Sequence, residues 1–486
     1  MSSTEKKQQQ RQSRIPVLEM VRQFNERNQG YFCIPGHRFE RGVNPALLEQ
    51  YGEGLFRYDL TETDNLDDLH HAEGPILEAQ QLAAELFGSE KCFFLVNGTT
   101  CGNEAMILTA VGPGEKILVP RNAHKSVLMG LILSGAVPVW IQPDMEAEWG
   151  TAGALSPERV EEALTEQPDI RAVFLVSPTY HGICSDIEEI SRVCHSHGVP
   201  LLVDEAHGSH LYFHQDFPNG AIRAGADACA QSTHKTLGSL TQTSMLHMQG
   251  ELLCQERMDE NLKLVMSTSP SYVLMAAIDA ARQQMAVHGE VLLGDALEKA
   301  EFLKRELSGM SGYRVLERQG QDPLRVVISG DPMGISGEQL QQLLYERGSI
   351  SLELADPVSI VLVITWGNTL EEISHLIRVL KEIQEEHGVL SGKTACYAEK
   401  LPFGKTVLTP REAYYRKKES IPLEEAAGRI AGELVAPYPP GIPVLCPGEE
   451  ISEALIHYLK DCAGRRCVLH GPQDESLRTI RVLCEQ

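Results

Sequence analysis

The chain of 486 residues has no apolar run of membrane-spanning length: stretches such as Ser359 to Trp366 fall well short of the roughly 18 to 20 residues a span requires. No secretory leader is expected either, because Met1 to Arg14 is polar, rich in Gln, Lys and Arg, and without an apolar centre. A cytoplasmic protein with a disordered N-terminus at 1–14 is therefore expected. Basic residues are scarce, 43 Lys and Arg against 67 Asp and Glu, for a formal charge of −24. Nucleic-acid binding draws its affinity from clustered Lys and Arg, so no nucleic-acid partner is expected. The 12 cysteines lack the even spacing of a disulfide framework and read as buried small hydrophobes in a reducing compartment. Cys194-His195-Ser196-His197 has no second ligand pair at zinc-like spacing, so it reads as a helix end before Gly198 and no metal is expected. There is no internal repeat and no extended low-complexity segment.

What remains is ordinary globular composition, 42% hydrophobic and 23% charged, in a chain long enough for two or three domains. From Lys91 to Met248 short apolar runs alternate with helical patterns. The expected strands are Cys92 to Asn97, Lys116 to Pro120, Val137 to Gln142, Ala172 to Ser177, Pro200 to Asp204, Ala226 to Ser232 and Thr243 to Met248. Several are continuous apolar runs, as suits strands covered on both faces. Helix start and stop signals bound Ser156 to Glu166 and Asp186 to His197. The fold class is thus α/β, on a mostly parallel seven-stranded sheet. Further on, Tyr272 to His288 and Gly294 to Leu307 read as two helices, and Leu324 to Ser329, Gly337 to Arg347 and Ser359 to Thr365 as a smaller α+β unit. The expected divisions are an N-terminal segment at 15–65, a large domain at 66–290, a small α+β domain at 291–390 and a C-terminal domain at 391–486.

Ligands of such sheets bind beyond the carboxyl ends of the strands, where loops meet helix N-termini. The polar clusters lie there: Asn97-Gly98-Thr99-Thr100, Arg121-Asn122-Ala123-His124, Asp204, and Ser232-Thr233-His234-Lys235. A lysine on a tight turn downstream of a strand-end aspartate suits pyridoxal phosphate (PLP) chemistry. The amine bonds to the cofactor aldehyde, and the carboxylate keeps the pyridine nitrogen protonated, which makes the ring an electron sink. On this reading Thr99 and Thr100 form a phosphate cup closed by Ser232 and His234, Asp204 is buried against the pyridine nitrogen, and His124 and Ala206 pack on the ring faces. Asp204-Glu205-Ala206-His207 also spells the acidic box of NTP-dependent helicases. That reading needs a phosphate loop upstream, and the nearest match, Gly392-Lys393-Thr394, lies downstream with His387 where the first glycine belongs.

With these residues in place, the chain resembles the Orn/Lys/Arg decarboxylases nearly end to end. The markers are Ile34-Pro35-Gly36-His37, Asp67-Asp68-Leu69-His70, Arg121 to Ser126, Asp204 to Gly208, Ser232 to Lys235, Ser267-Thr268-Ser269-Pro270 and the segment from Tyr438 to Pro443. It looks like the short form without an N-terminal wing domain. The resemblance implies PLP fold type I, the aspartate-aminotransferase fold, with smaller α+β C-terminal domains. It implies Lys235 as the lysine that bonds the cofactor, Asp204 on the pyridine nitrogen, His124 stacked on the ring, and Thr99, Thr100, Ser232 and His234 on the phosphate. Thr268 or Ser269 would come from the neighbouring subunit of a homodimer or tetramer. Cys101 and Arg38 depart from the family pattern, where a hydroxyl residue and Lys are common.

The reaction so implied is loss of CO2 from a basic amino acid, with Lys235 or His207 returning a proton to the α-carbon. Arginine, giving agmatine for polyamine synthesis, is the favoured substrate; lysine and ornithine stay open. Acidic residues near the C-terminal domain, Glu449 for instance, are candidate acceptors of the distal cation, although surface solvation is the more usual fate of any single glutamate. An aminotransferase or aldolase-like PLP lyase, and a non-catalytic PLP-binding paralogue, are the alternatives.

Overall fold

The computed structural model describes residues 9–27, 30–390, 401–438, 442–464 and 468–485. The Gly392-Lys393-Thr394 match and residues 439–441 of the Tyr438 to Pro443 segment lie outside them, as does 1–8. The chain divides into two compact units, one of residues up to Thr109 with Pro200–Leu292, the other of Ala110–Val199 with Leu293 onward.

The apolar runs form the strands of mostly parallel sheet in the two units: β1 (Lys91–Leu95), β2 (Lys116–Pro120), β3 (Val137–Ile141), β4 (Ile170–Val176), β5 (Leu201–Asp204), β6 (Ala228–Gln231) and β7 (Ser244–Met248). In the first unit the order is β1-β7-β6-β5. Every residue of β5, β6 and β7 is buried, which is why these runs do not alternate in polarity. β5 and β6 pair in parallel, Asp204 opposite Ala230. The segment from Ser232 to Thr243 turns straight back with only the short helix Thr233–Thr236, too little for a crossover, so β7 runs antiparallel to β6 and β1.

In the second unit β2 pairs in parallel with both β3 and β4. The helix Ile187–Ser196 is capped by Asp186 and closes at His197, as its stop signals predict. A smaller antiparallel sheet joins β8 (Arg314–Val315), β9 (Arg325–Ser329), β10 (Leu354–Ala355) and β11 (Ser359–Val363) in the order β8-β9-β11-β10. Helices Gly337–Gly348 and Leu370–His387 accompany it, each opened by a capping box, Ser336 with Gln339 and Thr369 with Glu372. The C-terminal part has its own core, including Val435, Leu445, Leu455, Leu459 and Val482.

Two expectations are corrected. The two helices predicted after Ser271 are one, Tyr272–Ser308. Gly289 and Gly294 weaken a helix without removing a donor, and no proline interrupts this span. At Gly289 an added Cβ would stand 3.1 Å from the Cβ of Phe213, so the glycine serves close packing and not a break. Residues 12–14 of the expected disordered N-terminus are held in place. The buried Arg282 donates to the carbonyls of Gln12 and Arg14 and pairs with Asp279, which also accepts from the N–H of Val17. A polar N-terminal sequence cannot reveal that acceptors are needed 270 residues away. Among the described residues no helix is long and apolar enough to cross a membrane.

Candidate active site

The site in the first unit begins where β1 hands over to the helix Gly98–Ala110. Gly98 has φ +75°, which lets the chain turn sharply into a helix whose first N–H groups face outward. Gly102 brings this helix hard against the sheet, since a Cβ there would lie 2.8 Å from Leu95 Cδ1 and 2.9 Å from Ala230 Cβ. The buried Thr99 hydroxyl consequently meets Ser232 Oγ at 2.7 Å and Ser244 Oγ at 3.0 Å. Thr100 is half-buried in the same turn.

Asp204 ends β5 and is 4% exposed. Its Oδ2 accepts from Asn103 Nδ2 at 2.8 Å, and Oδ1 from the N–H of Ala206 at 3.1 Å. Burial without such donors would be costly for a carboxylate. Asn103 was missed by sequence reasoning; its signal is the one-turn spacing from Thr99, which puts both on the helix face toward the sheet. Lys235 Nζ lies 2.9 Å from Nε2 of the buried His207, so lysine and histidine share a proton position. The turn beneath the lysine is built by side chains the motif alone does not explain. Ser209 Oγ donates to the Ser232 carbonyl at 3.2 Å and meets Thr236 Oγ1 at 2.6 Å, and Thr233 Oγ1 donates to Thr243 Oγ1 at 2.9 Å. His234 Nδ1 is 2.8 Å from the carbonyl of Thr243 and so carries the donated proton.

Thr268 and Ser269 are exposed and make no side-chain bond to the Thr99 cluster. Their loop is fixed at Ser267, whose N–H donates to Asn97 Oδ1 at 3.1 Å and whose carbonyl lies 2.8 Å from His70 Nε2.

In the second unit His124 caps the helix Lys125–Ser134, its Nδ1 accepting from the N–H of Ser126 at 3.2 Å. Arg121 at the end of β2 forms a two-pronged ion pair with Glu449. They are 4% and 1% exposed, and the guanidinium lies between the rings of Trp140 and Phe403 at 4.6 and 4.7 Å. Burial raises the Glu449 carboxyl above its ordinary range, and Arg121 opposes the rise. Glu449 is thus not the solvated surface residue that a single glutamate usually is, and as a candidate acceptor of a substrate's distal cation it already carries a buried internal guanidinium.

Comparison with solved structures identifies the fold. Lysine decarboxylase A of Pseudomonas aeruginosa superposes with a TM-score of 0.83 at 23% identity, over 96% of this chain and 80% of that one. Sphingomonas wittichii serine palmitoyltransferase gives 0.54 at 18% identity, over 71% and 82%. The architecture is that of the PLP fold type I enzymes. Residues 15–322 match the Orn/Lys/Arg decarboxylase major domain, and 393–466 its C-terminal domain. Proteins named arginine decarboxylase from Halalkalibacterium halodurans and Bacillus subtilis are each 37% identical over 98% of this chain and 99% of theirs. The chain belongs to the Orn/Lys/Arg decarboxylase family.

Proposed function

We propose that the protein decarboxylates L-arginine to agmatine with PLP bound at the ends of β5 and β6. The observation that carries the chemistry is Lys235 Nζ held 2.9 Å from His207 Nε2, with His207 on the loop that starts from the buried Asp204. The arginine relatives, matched over almost their whole length, support the choice of substrate.

The residues present fit the cofactor. Asp204 is a buried carboxylate oriented by Asn103 and Ala206, and a protonated pyridine nitrogen is the cation such a group calls for. Thr99, Thr100 and Ser232 gather hydroxyls at a helix N-terminus, which suits a phosphate, with His234 beside them. Ala206 would pack on one face of the ring, and Lys235 is the amine for its aldehyde. When bound, PLP supplies the electron sink that accepts the pair released with CO2. The protein's part is then to hold the substrate and to return one proton to the α-carbon. Lys235 and His207 do this as a couple, since at 2.9 Å the proton one gives up is replaced through the other. Exposed Thr268 and Ser269 suit donation to a neighbouring subunit in a homodimer. Mixing a Lys235→Ala chain with a Thr268→Val/Ser269→Ala chain should then restore part of the activity that each lacks alone.

The test is to incubate the PLP-loaded protein separately with arginine, lysine and ornithine and identify the amines. Agmatine as the main product supports the proposal. Cadaverine or putrescine would overturn the substrate, and no amine from any of the three would overturn the reaction. Lys235→Ala should abolish turnover.

A further inference from the structure

Asp204 and Ser232 share one face of the sheet. Thr99 and Gly102, both on the helix Gly98–Ala110, meet Ser232 and Ala230 respectively, and Asn103 of the same helix meets Asp204. Side chains alternate along a strand, so the next residue in each case, Glu205 after Asp204 and Gln231 before Ser232, faces the other way. On that reverse face the two meet: Gln231 Nε2 donates to Glu205 Oε2 at 2.6 Å, both residues being 0% exposed. Glu205 also accepts from the Tyr212 hydroxyl at 2.7 Å and from the N–H of Ala221 at 2.7 Å. Tyr212 is fixed in turn, accepting from the N–H of Ile222 at 3.1 Å. Gly220 admits its ring, because a Cβ there would fall 2.2 Å from it.

This arrangement sits where main-chain pairing between the two strands runs out. Among the described hydrogen bonds, the Glu205 N–H to the Ala230 carbonyl at 3.0 Å is the final backbone link between β5 and β6. Beyond it the chains part, one toward His207 and the other toward Lys235. We propose that Glu205 and Gln231 are positioning residues, a clamp on the reverse face that sets the separation between Asp204 and the Ser232–Lys235 turn and so the fit of the cofactor. The inference rests on the reading of Asp204 and Lys235 given above.

An unclamped pair of strand ends keeps the fold but loosens the site, and a displacement of about 1 Å is enough to cost a functional constellation tenfold or more. Gln231→Leu conserves volume and leaves Glu205 its bonds to Tyr212 and Ala221, so the chain still folds. The measurements are the PLP dissociation constant of the apoprotein well below its melting temperature, and the pH midpoint of the bound cofactor's absorption. Gln231→Leu should weaken PLP binding by about tenfold and move that midpoint. The exchange Glu205→Gln/Gln231→Glu restores a carboxylate facing an amide and should recover most of the affinity. A lower melting temperature with unchanged PLP affinity and midpoint would reduce the pair to a structural role and overturn the clamp. A double exchange no better than Gln231→Leu would do the same. Asp204→Ala separates the two levels. If it weakens PLP binding and Gln231→Leu does not, the clamp alone falls; if neither does, the reading of the site falls and the clamp with it.

Discussion

Asp204 has its two oxygens served by different elements, Asn103 from a helix and the Ala206 amide from its own loop. Removing the asparagine donor withdraws a hydrogen bond to a buried charge, worth about 1.5–3 kcal/mol. Asn103→Ala should lower the apoprotein's denaturation midpoint accordingly and weaken PLP binding, whereas Asn103→Asp, which sets two carboxylates face to face, should weaken it further. Two other buried groups give stability a pH dependence. His247 lies against the ring of Phe87, and burial pushes it down to about 3 from 6.5. The unfolded chain therefore takes up a proton that the folded one refuses, and stability falls as pH drops from 6.5 toward 3. Glu205 is pushed up by burial to about 7 from 4.5, so the folded chain holds its proton longer and stability falls as pH rises from 4.5 to 7. The two oppose each other between pH 4.5 and 6.5. Melting curves should show His247→Phe flattening the acid limb below pH 4.5, where Glu205 no longer contributes; an unchanged acid limb would count against the assignment.

At the scale of elements, the helix Gly98–Ala110 is set by one small residue. Gly102→Ala would clash with both Leu95 and Ala230, so the helix must back away from the sheet at an overpacking cost of about 1–3 kcal/mol, and the shift carries Thr99 away from Ser232 and Ser244. Titration with PLP should show weakened binding along with a reduced denaturation midpoint; loss of stability with binding intact would mean that the helix yields elsewhere than at its N-terminus. The elements themselves were legible in the sequence because strands buried on both faces read as apolar runs, and each of the seven was found within two residues at each end. The polar strand ends were legible as well, because Asp204 to His207 and Ser232 to Lys235 are contiguous. What the sequence concealed depends on partners far along the chain. Asn103 and Asp204 are 101 residues apart, and the capping role of Arg282 toward Gln12 spans 270. The single helix Tyr272–Ser308 escaped for a different reason, since glycine used for close packing at Gly289 looks the same in sequence as glycine used as a stop.

At the scale of the whole molecule the Arg121–Glu449 pair is a buried long-range contact of the second unit, linking the end of β2 to the C-terminal part across 328 residues. Arg121 is flanked by Trp140 and Phe403, and Glu449 Oε2 also accepts from the N–H of Cys446 at 2.8 Å. With the charges so enclosed, deleting one strands the other in a medium that solvates it poorly. The expected cost is about 3–5 kcal/mol, far more than for an exposed pair. Glu449→Ala should therefore lower the unfolding midpoint sharply. Arg121→Met/Glu449→Leu, which removes both charges and keeps most of the volume, should recover much of the loss. The same variants decide whether Glu449 has any part in recognising the substrate. If it serves Arg121 alone, the double variant, assayed where it is folded, keeps a KM for arginine close to that of the parent. A KM raised tenfold or more, with stability recovered, would return Glu449 to the substrate, because a lost distal ion pair weakens binding of arginine itself by about that factor.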